Sequence, residues 1–189
     1  GHDVTIWGRR EEVCAQINEQ HENGDYLPGV ELPPNIGATH DPEKAAHGAQ
    51  VVVLAVPSQT LRGNLTEWAP ALPSDSVLVS LMKGVELGSL KRMSQVMAEL
   101  TGAGPERIAV VSGPNLSKEI ARREPAASVV ACEDEEVSRR LRKLISQARE
   151  EGIAICGKPA SGYFMPVTPE ELEETCKFLE NRAFHSLRN

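Results

Sequence analysis

Two short segments of the sequence carry residue types that suit the binding of an anionic small molecule. The apolar run 108–111 leads into a turn at Gly113 and Pro114 and then into a helical pattern. The apolar run 76–81 leads into Lys83 and Gly84. A strand that ends at a helix N-terminus presents free backbone N–H groups to an anion, and a lysine at a neighbouring strand end adds a cation. The two segments together predict a site for a phosphate-bearing substrate or a dinucleotide.

The apolar pattern predicts the elements that must position this site. Strands are expected at 3–7, 50–56, 76–81, 108–111 and 127–131, and helices at 10–23, 42–48, 58–68, 89–100, 115–121 and 134–151. Ser58 is the expected N-cap of its helix. Residues 24–41 contain three prolines and are expected to be mostly loop. Strands that alternate with helices indicate a mostly parallel, doubly wound sheet, which binds its ligand at the carboxyl ends of the strands.

The residues after about 139 follow a different pattern. Two short apolar segments, 153–156 and 162–165, flank a turn and predict a hairpin, and Thr168 with Glu171 forms a capping box that begins a helix. This order resembles the later half of phage-type winged-helix regulators. A basic run lies on the preceding predicted helix, at Arg139, Arg140, Arg142 and Lys143. It could enter a DNA groove, but acidic residues flank it, which favours a solvated amphipathic face.

Composition and charge restrict the class of protein. The 189 residues are 40% hydrophobic and 25% charged, as in a soluble globular protein, and no apolar run is long enough to cross a bilayer. The net charge of -7 argues against a dedicated nucleic-acid binder. The four cysteines show no CxxC spacing and the five histidines are isolated, so reduced thiols and no metal site are expected. We expect a cytoplasmic protein.

Five sequence runs, in order and at domain-scale spacing, carry a family resemblance. They are Val4-Thr5-Ile6-Trp7-Gly8-Arg9-Arg10, Tyr26-Leu27-Pro28, Leu54-Ala55-Val56-Pro57-Ser58, Met82-Lys83-Gly84 and Ser112-Gly113-Pro114-Asn115. Over about residues 1–140 the chain resembles the N-terminal domain of NAD(P)-dependent sn-glycerol-3-phosphate dehydrogenase. A single run would be weak support, but five together are specific.

The resemblance implies roles for residues at the strand ends. The predicted cofactor-binding residues are Arg9, Arg10, Pro57, Ser58, Lys83 and Ser117, and the predicted substrate-binding residues are Lys83, Gly113 and Asn115. Arginine at the end of the second strand of a dinucleotide fold favours a 2′-phosphate over an NAD ribose. Each position also has a plainer interpretation: solvated arginines that begin a helix, a lone surface lysine, and ordinary turn chemistry at the remaining positions.

The sequence departs from the family pattern in two ways. It contains no GxGxxG turn, and its start at Gly1-His2-Asp3 looks like the end of a first helix and the beginning of strand two. Nothing after about residue 150 resembles the family's C-terminal helical domain with its catalytic lysine, so no catalytic residue is assigned. The chain therefore looks like a fragment, a chimera or a misassembled gene, with weak NADPH binding and no turnover expected.

These observations define the expectations for the structure. The fold class is α/β, a truncated Rossmann-type doubly wound, mostly parallel sheet with a small α+β, winged-helix-like C-terminal appendage. The domains are 1–138, a partial dinucleotide-binding domain, and 139–189, a helix-hairpin-helix tail. The function is that of an oxidoreductase that transfers hydride between NAD(P)H and dihydroxyacetone phosphate or glycerol-3-phosphate. The alternative is a non-catalytic regulatory or DNA-binding protein. The cofactor is NADP or NAD, the partner is a small phosphate substrate, and a homodimer is compatible with the resemblance.

Overall fold

The computed structural model describes residues 2–113, 117–122, 128–150, 156–158 and 162–164. Its strands are β1 Val4–Trp7, β2 Glu22–Asn23, β3 Leu27–Glu31, β4 Ile36–Thr39, β5 Val51–Leu54, β6 Val77–Ser80, β7 Ile108–Ser112, β8 Val129–Cys132, β9 Cys156–Lys158 and β10 Gly162–Phe164. Its helices are α1 Glu11–Gln20, α2 Pro42–Ala46, α3 Leu61–Trp68, α4 Met93–Thr101, α5 Ser117–Ala121 and α6 Glu135–Glu150. The chain divides into two units, Gly1–Ser112 with Val130–Leu141, and Gly113–Val129 with Arg142–Asn189.

The main sheet has four strands in the order β5-β6-β7-β8. β6 runs parallel to both β5 and β7, with Val51 opposite Val77 and Leu78 opposite Ile108. All four residues of β6 are buried, because an apolar run in a parallel sheet is covered on both faces. The parallel α/β architecture predicted from the alternating pattern is therefore confirmed.

Two helices cover this sheet and form the core of the first unit. Leu61 and Leu65 on α3 and Val96 and Met97 on α4 are completely buried, and they belong to one apolar cluster with residues of β5, β6 and β7. Burial of each such side chain contributes roughly 1.5–3 kcal/mol. This packing fixes the positions at which the chain leaves β5 and β6.

A second parallel pair, β1 with β4, lies in a separate sheet. The prediction that residues 24–41 are mostly loop is wrong, because β3 and β4 both fall within them. β4 is a short Ile-Gly-Ala-Thr segment with little strand propensity of its own. It is held by β1 and by Asn18, whose side-chain amide bonds both the N–H and the C=O of Ala38, at 2.8 and 2.9 Å. Tertiary contacts thus override the local sequence signal.

The starts of two helices also differ from prediction. Ser58 is not the N-cap of α3: it begins a 3-10 turn, Ser58–Thr60, and α3 begins at Leu61 without a side-chain cap. The helix expected from residue 89 begins only at Met93. The segment before it turns back on itself, with the backbone φ of Leu90 at 56° and a bridge between Val85 and Arg92. Positive φ at a leucine is incompatible with a continuing right-handed helix.

The second unit contains α5 and a short hairpin. β9 and β10 pair antiparallel, with Gly162 opposite Lys158 and Phe164 opposite Cys156. The second predicted arm, 162–165, coincides with β10, whereas β9 lies at 156–158, in the predicted turn, and shares only Cys156 with the first predicted arm, 153–156. Residues 153–155 lie outside the described residues. The helix predicted from Thr168 onward lies outside the described residues. Within the part of the chain that the structure describes, no helix is long and apolar enough to cross a membrane.

Candidate functional site

The first set of candidate residues lies where β1 ends and α1 begins. Gly8 donates its N–H to the carbonyl of Thr39, at 2.9 Å, and a Cβ at Gly8 would lie 2.8 Å from the Cys14 sulfur. Only glycine therefore fits without displacing the Cys14 side chain. Arg9 and Arg10 follow directly and lie at the carboxyl end of the strand, which is the position that the sequence predicted.

Arg10 is held by two residues of the loop that follows β2 and lies near one residue of α1. Its Nη2 lies 2.5 Å from Oδ2 of Asp25, its guanidinium carbon lies 5.5 Å from the centre of the Tyr26 ring, and its Nε lies 3.8 Å from Oε1 of Glu12. The hydrogen bond with Asp25 is the main reason that the pKa of Arg10 is raised above its ordinary value. The Arg10 guanidinium is thus already engaged by one carboxylate and one aromatic face.

Arg9 has a different environment although it is the next residue in the chain. Its side chain is exposed, and no hydrogen bond or ion pair of Arg9 is found among the described residues. The two arginines that the sequence treats alike therefore differ: Arg9 is available to a ligand, and Arg10 is already paired.

The second set of candidates follows β5. Pro57 accepts hydrogen bonds from both the N–H and the hydroxyl of Thr60, each at 2.9 Å, which closes the 3-10 turn that presents Ser58. The next residue, Gln59, reaches across to the loop after β6. Its Nε2 donates to the carbonyl of Val85 at 2.8 Å, and its Oε1 accepts from the N–H of Leu87 at 2.9 Å.

Lys83 and Gly84 lie at the start of this second loop. Lys83 is exposed. Gly84 has a backbone φ of 96°, and a Cβ there would lie 3.9 Å from the Ser58 hydroxyl. The structure therefore brings the predicted residue Ser58 beside the backbone that follows Lys83, because β5 and β6 are neighbours in the sheet and end at the same edge.

An ion network fixes the far end of this loop. Arg62 on α3 donates to both carboxylate oxygens of Glu86, at 2.8 and 3.0 Å, and also to both oxygens of Glu99 on α4, at 2.9 and 3.2 Å. Lys91 lies 2.6 Å from Glu99. Hydrogen bonds from Arg62 and then Lys91 lower the pKa of Glu99 to about 2, and Arg62 with Ser89 lowers the pKa of Glu86.

The remaining predicted residues belong to the second unit. Gly113 is half-buried and directly follows β7, and Ser117 is exposed at the start of α5. Asn115 lies outside the described residues. Among the described residues, no group of three or more histidine, cysteine, aspartate or glutamate side chains could hold a metal ion.

Three residues that complete these sites were missed by sequence reasoning: Asp25, Gln59 and Arg62. Their contacts span 15 to 37 positions, so no local periodicity could have indicated them. The only sequence signals are positional, since Asp25 precedes the Tyr26-Leu27-Pro28 run and Gln59 follows Ser58.

A family model matches most of the chain. Its description is NAD-dependent glycerol-3-phosphate dehydrogenase N-terminus, and it matches residues 1–138. The chain belongs to this family. The resemblance inferred from the five sequence runs is therefore confirmed, and these comparisons give no support to the alternative of a regulatory or DNA-binding protein.

Similar proteins cover more of this chain than the family model does. Glycerol-3-phosphate dehydrogenase (NAD(P)+) of Streptomyces avermitilis is 56% identical over 168 residues, which are 89% of this chain and 46% of that protein. Glycerol-3-phosphate dehydrogenase (NAD(P)+) 2 of Mycobacterium bovis is 50% identical over 175 residues, 93% of this chain and 48% of that protein. The chain spans about half the length of the curated relatives it matches.

Solved structures support the same fold. Glycerol-3-phosphate dehydrogenase of Coxiella burnetii superposes with a TM-score of 0.68 at 26% identity, covering 75% of this chain and 42% of that chain. The GPDH of Dunaliella salina superposes with a TM-score of 0.65 at 30% identity, covering 77% of this chain and 25% of that one. The Rossmann-type fold predicted from the sequence is thus confirmed, and the winged-helix-like appendage stays a prediction.

Proposed function

We propose that this chain provides the cofactor-binding part of an oxidoreductase that interconverts dihydroxyacetone phosphate and glycerol-3-phosphate with NADP or NAD. The relatives that it resembles carry the name glycerol-3-phosphate dehydrogenase (NAD(P)+). The observation that carries the proposal is the meeting of two loops at one edge of the sheet, where Gly84, next to Lys83, approaches Ser58. Ligands of open α/β sheets bind at this edge.

The residues at the end of β1 fit the adenosine half of such a cofactor. Gly8 allows the chain to turn closely over Cys14, and the exposed Arg9 offers a guanidinium to a phosphate. Arginine binds phosphate through several N–H groups in a planar fork. Pro57 and Ser58, at the end of β5, are proposed to line the cofactor, and Ser117 is proposed to contact it.

Lys83 is the proposed cation for the substrate. Bound nicotinamide would supply the hydride that reduces the carbonyl carbon of dihydroxyacetone phosphate, while a proton is added to the carbonyl oxygen. The ammonium of Lys83 stabilises negative charge on the phosphate or on that oxygen. Gly113 and Asn115 are proposed to position the substrate phosphate. None of these residues is assigned as the proton donor.

Binding of sn-glycerol-3-phosphate by the intact chain tests the role of Lys83. In an NMR titration we expect the amide signals of Ser58 and Gly84 to shift with sn-glycerol-3-phosphate and not with uncharged glycerol. Lys83→Ala should weaken this binding by about 10-fold or more, because a charge-assisted hydrogen bond contributes about 1.5–3 kcal/mol. The fold should change little, since Lys83 is exposed.

Lys91→Ala is the matched control. Lys91 lies in the same loop, where it pairs with Glu99. Its removal should leave the affinity for sn-glycerol-3-phosphate within about twofold, as expected for a surface charge outside the site. Equal affinities of wild type and Lys83→Ala would show that Lys83 does not bind the phosphate.

We further propose a cytoplasmic location and a small-molecule phosphate as the partner.

A further inference from the structure

The two neighbouring arginines at the end of β1 are unequal, and the cause is a residue from another loop. Arg10 is engaged by Asp25, whose carboxylate lies 2.5 Å from its Nη2, while the Tyr26 ring lies against the same guanidinium. Arg9 is exposed, with no such partner among the described residues. Asp25 itself is 58% exposed in its side chain, so the pair lies at the surface, where a ligand can reach it.

A phosphate that approaches this corner meets opposing charges. Arg9 attracts it, but Arg10 is neutralised by Asp25, and the Asp25 carboxylate repels a second anion. The phosphate must either bind through Arg9 alone or displace Asp25 from Arg10. In both cases, the extra phosphate increases the binding affinity of a ligand by less than it would if both arginines could bind it. Such specificity is a difference between two affinities, and a repulsive group can set it.

We propose that Asp25 is a specificity-determining residue, which limits the preference for a 2′-phosphorylated adenosine cofactor by holding Arg10 away from that phosphate. Arg9 is then the principal 2′-phosphate ligand, and Arg10 is a positioning residue for the loop that carries Asp25 and Tyr26. This inference rests on the proposed cofactor site at the end of β1. It goes further by naming the residue that sets the balance between the two forms of the cofactor.

The test measures the affinities of the intact chain for adenosine 2′,5′-bisphosphate and for 5′-AMP, which differ only in the 2′-phosphate. Isothermal titration or NMR at low salt gives the ratio of the two dissociation constants. Asp25→Asn should raise the preference for the bisphosphate by about threefold or more, and added salt should reduce the gain, because exposed charge interactions are screened. A merely structural role would alter both affinities equally and leave the ratio unchanged.

Two further variants separate the mechanism from a general charge effect. Glu12→Gln removes an equal charge from the same corner, but Glu12 lies 3.8 Å from Arg10 rather than in a short hydrogen bond, so its effect on the ratio should be smaller. In an Arg10→Ala background, Asp25→Asn should raise the ratio less than it does in the wild-type chain, because the guanidinium that it would release is gone and only the direct repulsion by the carboxylate is removed.

The outcomes distinguish this inference from the proposed function. A raised ratio in Asp25→Asn that is reduced in the Arg10→Ala background supports the inference. Binding of both probes with an unchanged or lowered ratio in Asp25→Asn overturns the inference and leaves the cofactor site in place. If neither probe shifts the amide signals of Gly8 and Arg9 in the wild-type chain, the proposed cofactor site is wrong and the inference falls with it.

Discussion

Gln59 connects the loops that follow β5 and β6, so its truncation should loosen the segment that presents Lys83. Gln59→Ala removes two hydrogen bonds, one to the carbonyl of Val85 and one from the N–H of Leu87. A typical intramolecular hydrogen bond contributes about 0.5–1.5 kcal/mol net. Because Val85 and Leu87 are exposed and water can replace the lost partner, the lower half of that range applies, about 0.5–1 kcal/mol for each bond. The two bonds together then contribute about 1–2 kcal/mol.

Hydrogen exchange of the Leu87 amide is the direct assay. A loss of about 1–2 kcal/mol in the local opening free energy should accelerate exchange by roughly 5- to 30-fold. The change is local, because the Arg62 fork still holds Glu86 and the core beneath the loop is untouched. The melting temperature should therefore fall by no more than about 8 °C, the largest shift that a global loss of about 2 kcal/mol would give.

Gln59→Glu is the matched control. A glutamate keeps an oxygen that accepts from the Leu87 N–H but cannot donate to the Val85 carbonyl, so protection of Leu87 should be largely retained. Unchanged Leu87 exchange in Gln59→Ala would refute the reasoning, since it would show that the side-chain amide does not hold the loop. Equal acceleration in Gln59→Ala and Gln59→Glu would also refute the assignment of the Leu87 bond to the side-chain oxygen.

Two further predictions concern charge. Arg9→Ala should weaken binding of NADPH more than binding of NADH, because only NADPH has the 2′-phosphate; fluorescence titration measures this, and equal losses would make Arg9 purely structural. The network of Arg62 with Glu99 should contribute a pH-dependent part of the free energy of unfolding, because the pKa of Glu99 is about 2 in the folded chain and 4.5 in the free group. The contribution is therefore present above about pH 4.5 and is lost as the pH falls toward about 2. The melting temperature of Glu99→Gln should fall less than that of the wild type as the pH is lowered over that range. Parallel plots of melting temperature against pH for the two proteins would contradict the linkage.

The sequence alone was sufficient for the strands of the main sheet and for their order of appearance. Residues 51–54, 77–79 and 108–111 are apolar and rich in β-branched side chains, and segments with helical periodicity lie between them. A pattern of this kind depends only on neighbouring residues, so it can be recognised without knowledge of the fold. The same logic placed Lys83 and Ser58 near strand ends, and the alternation of strands with helices indicated the α/β fold class.

The tertiary structure alone decided the elements and contacts that depend on distant residues. β4 becomes a strand because β1 and Asn18 bond its backbone, although its own sequence favours a loop. Arg9 and Arg10 are equivalent in the sequence, and only the return of the chain at Asp25 makes one available and the other paired. Contacts of this kind are fixed by the packing of whole elements against one another. That packing brings together residues that are far apart in the sequence and that no local sequence pattern links.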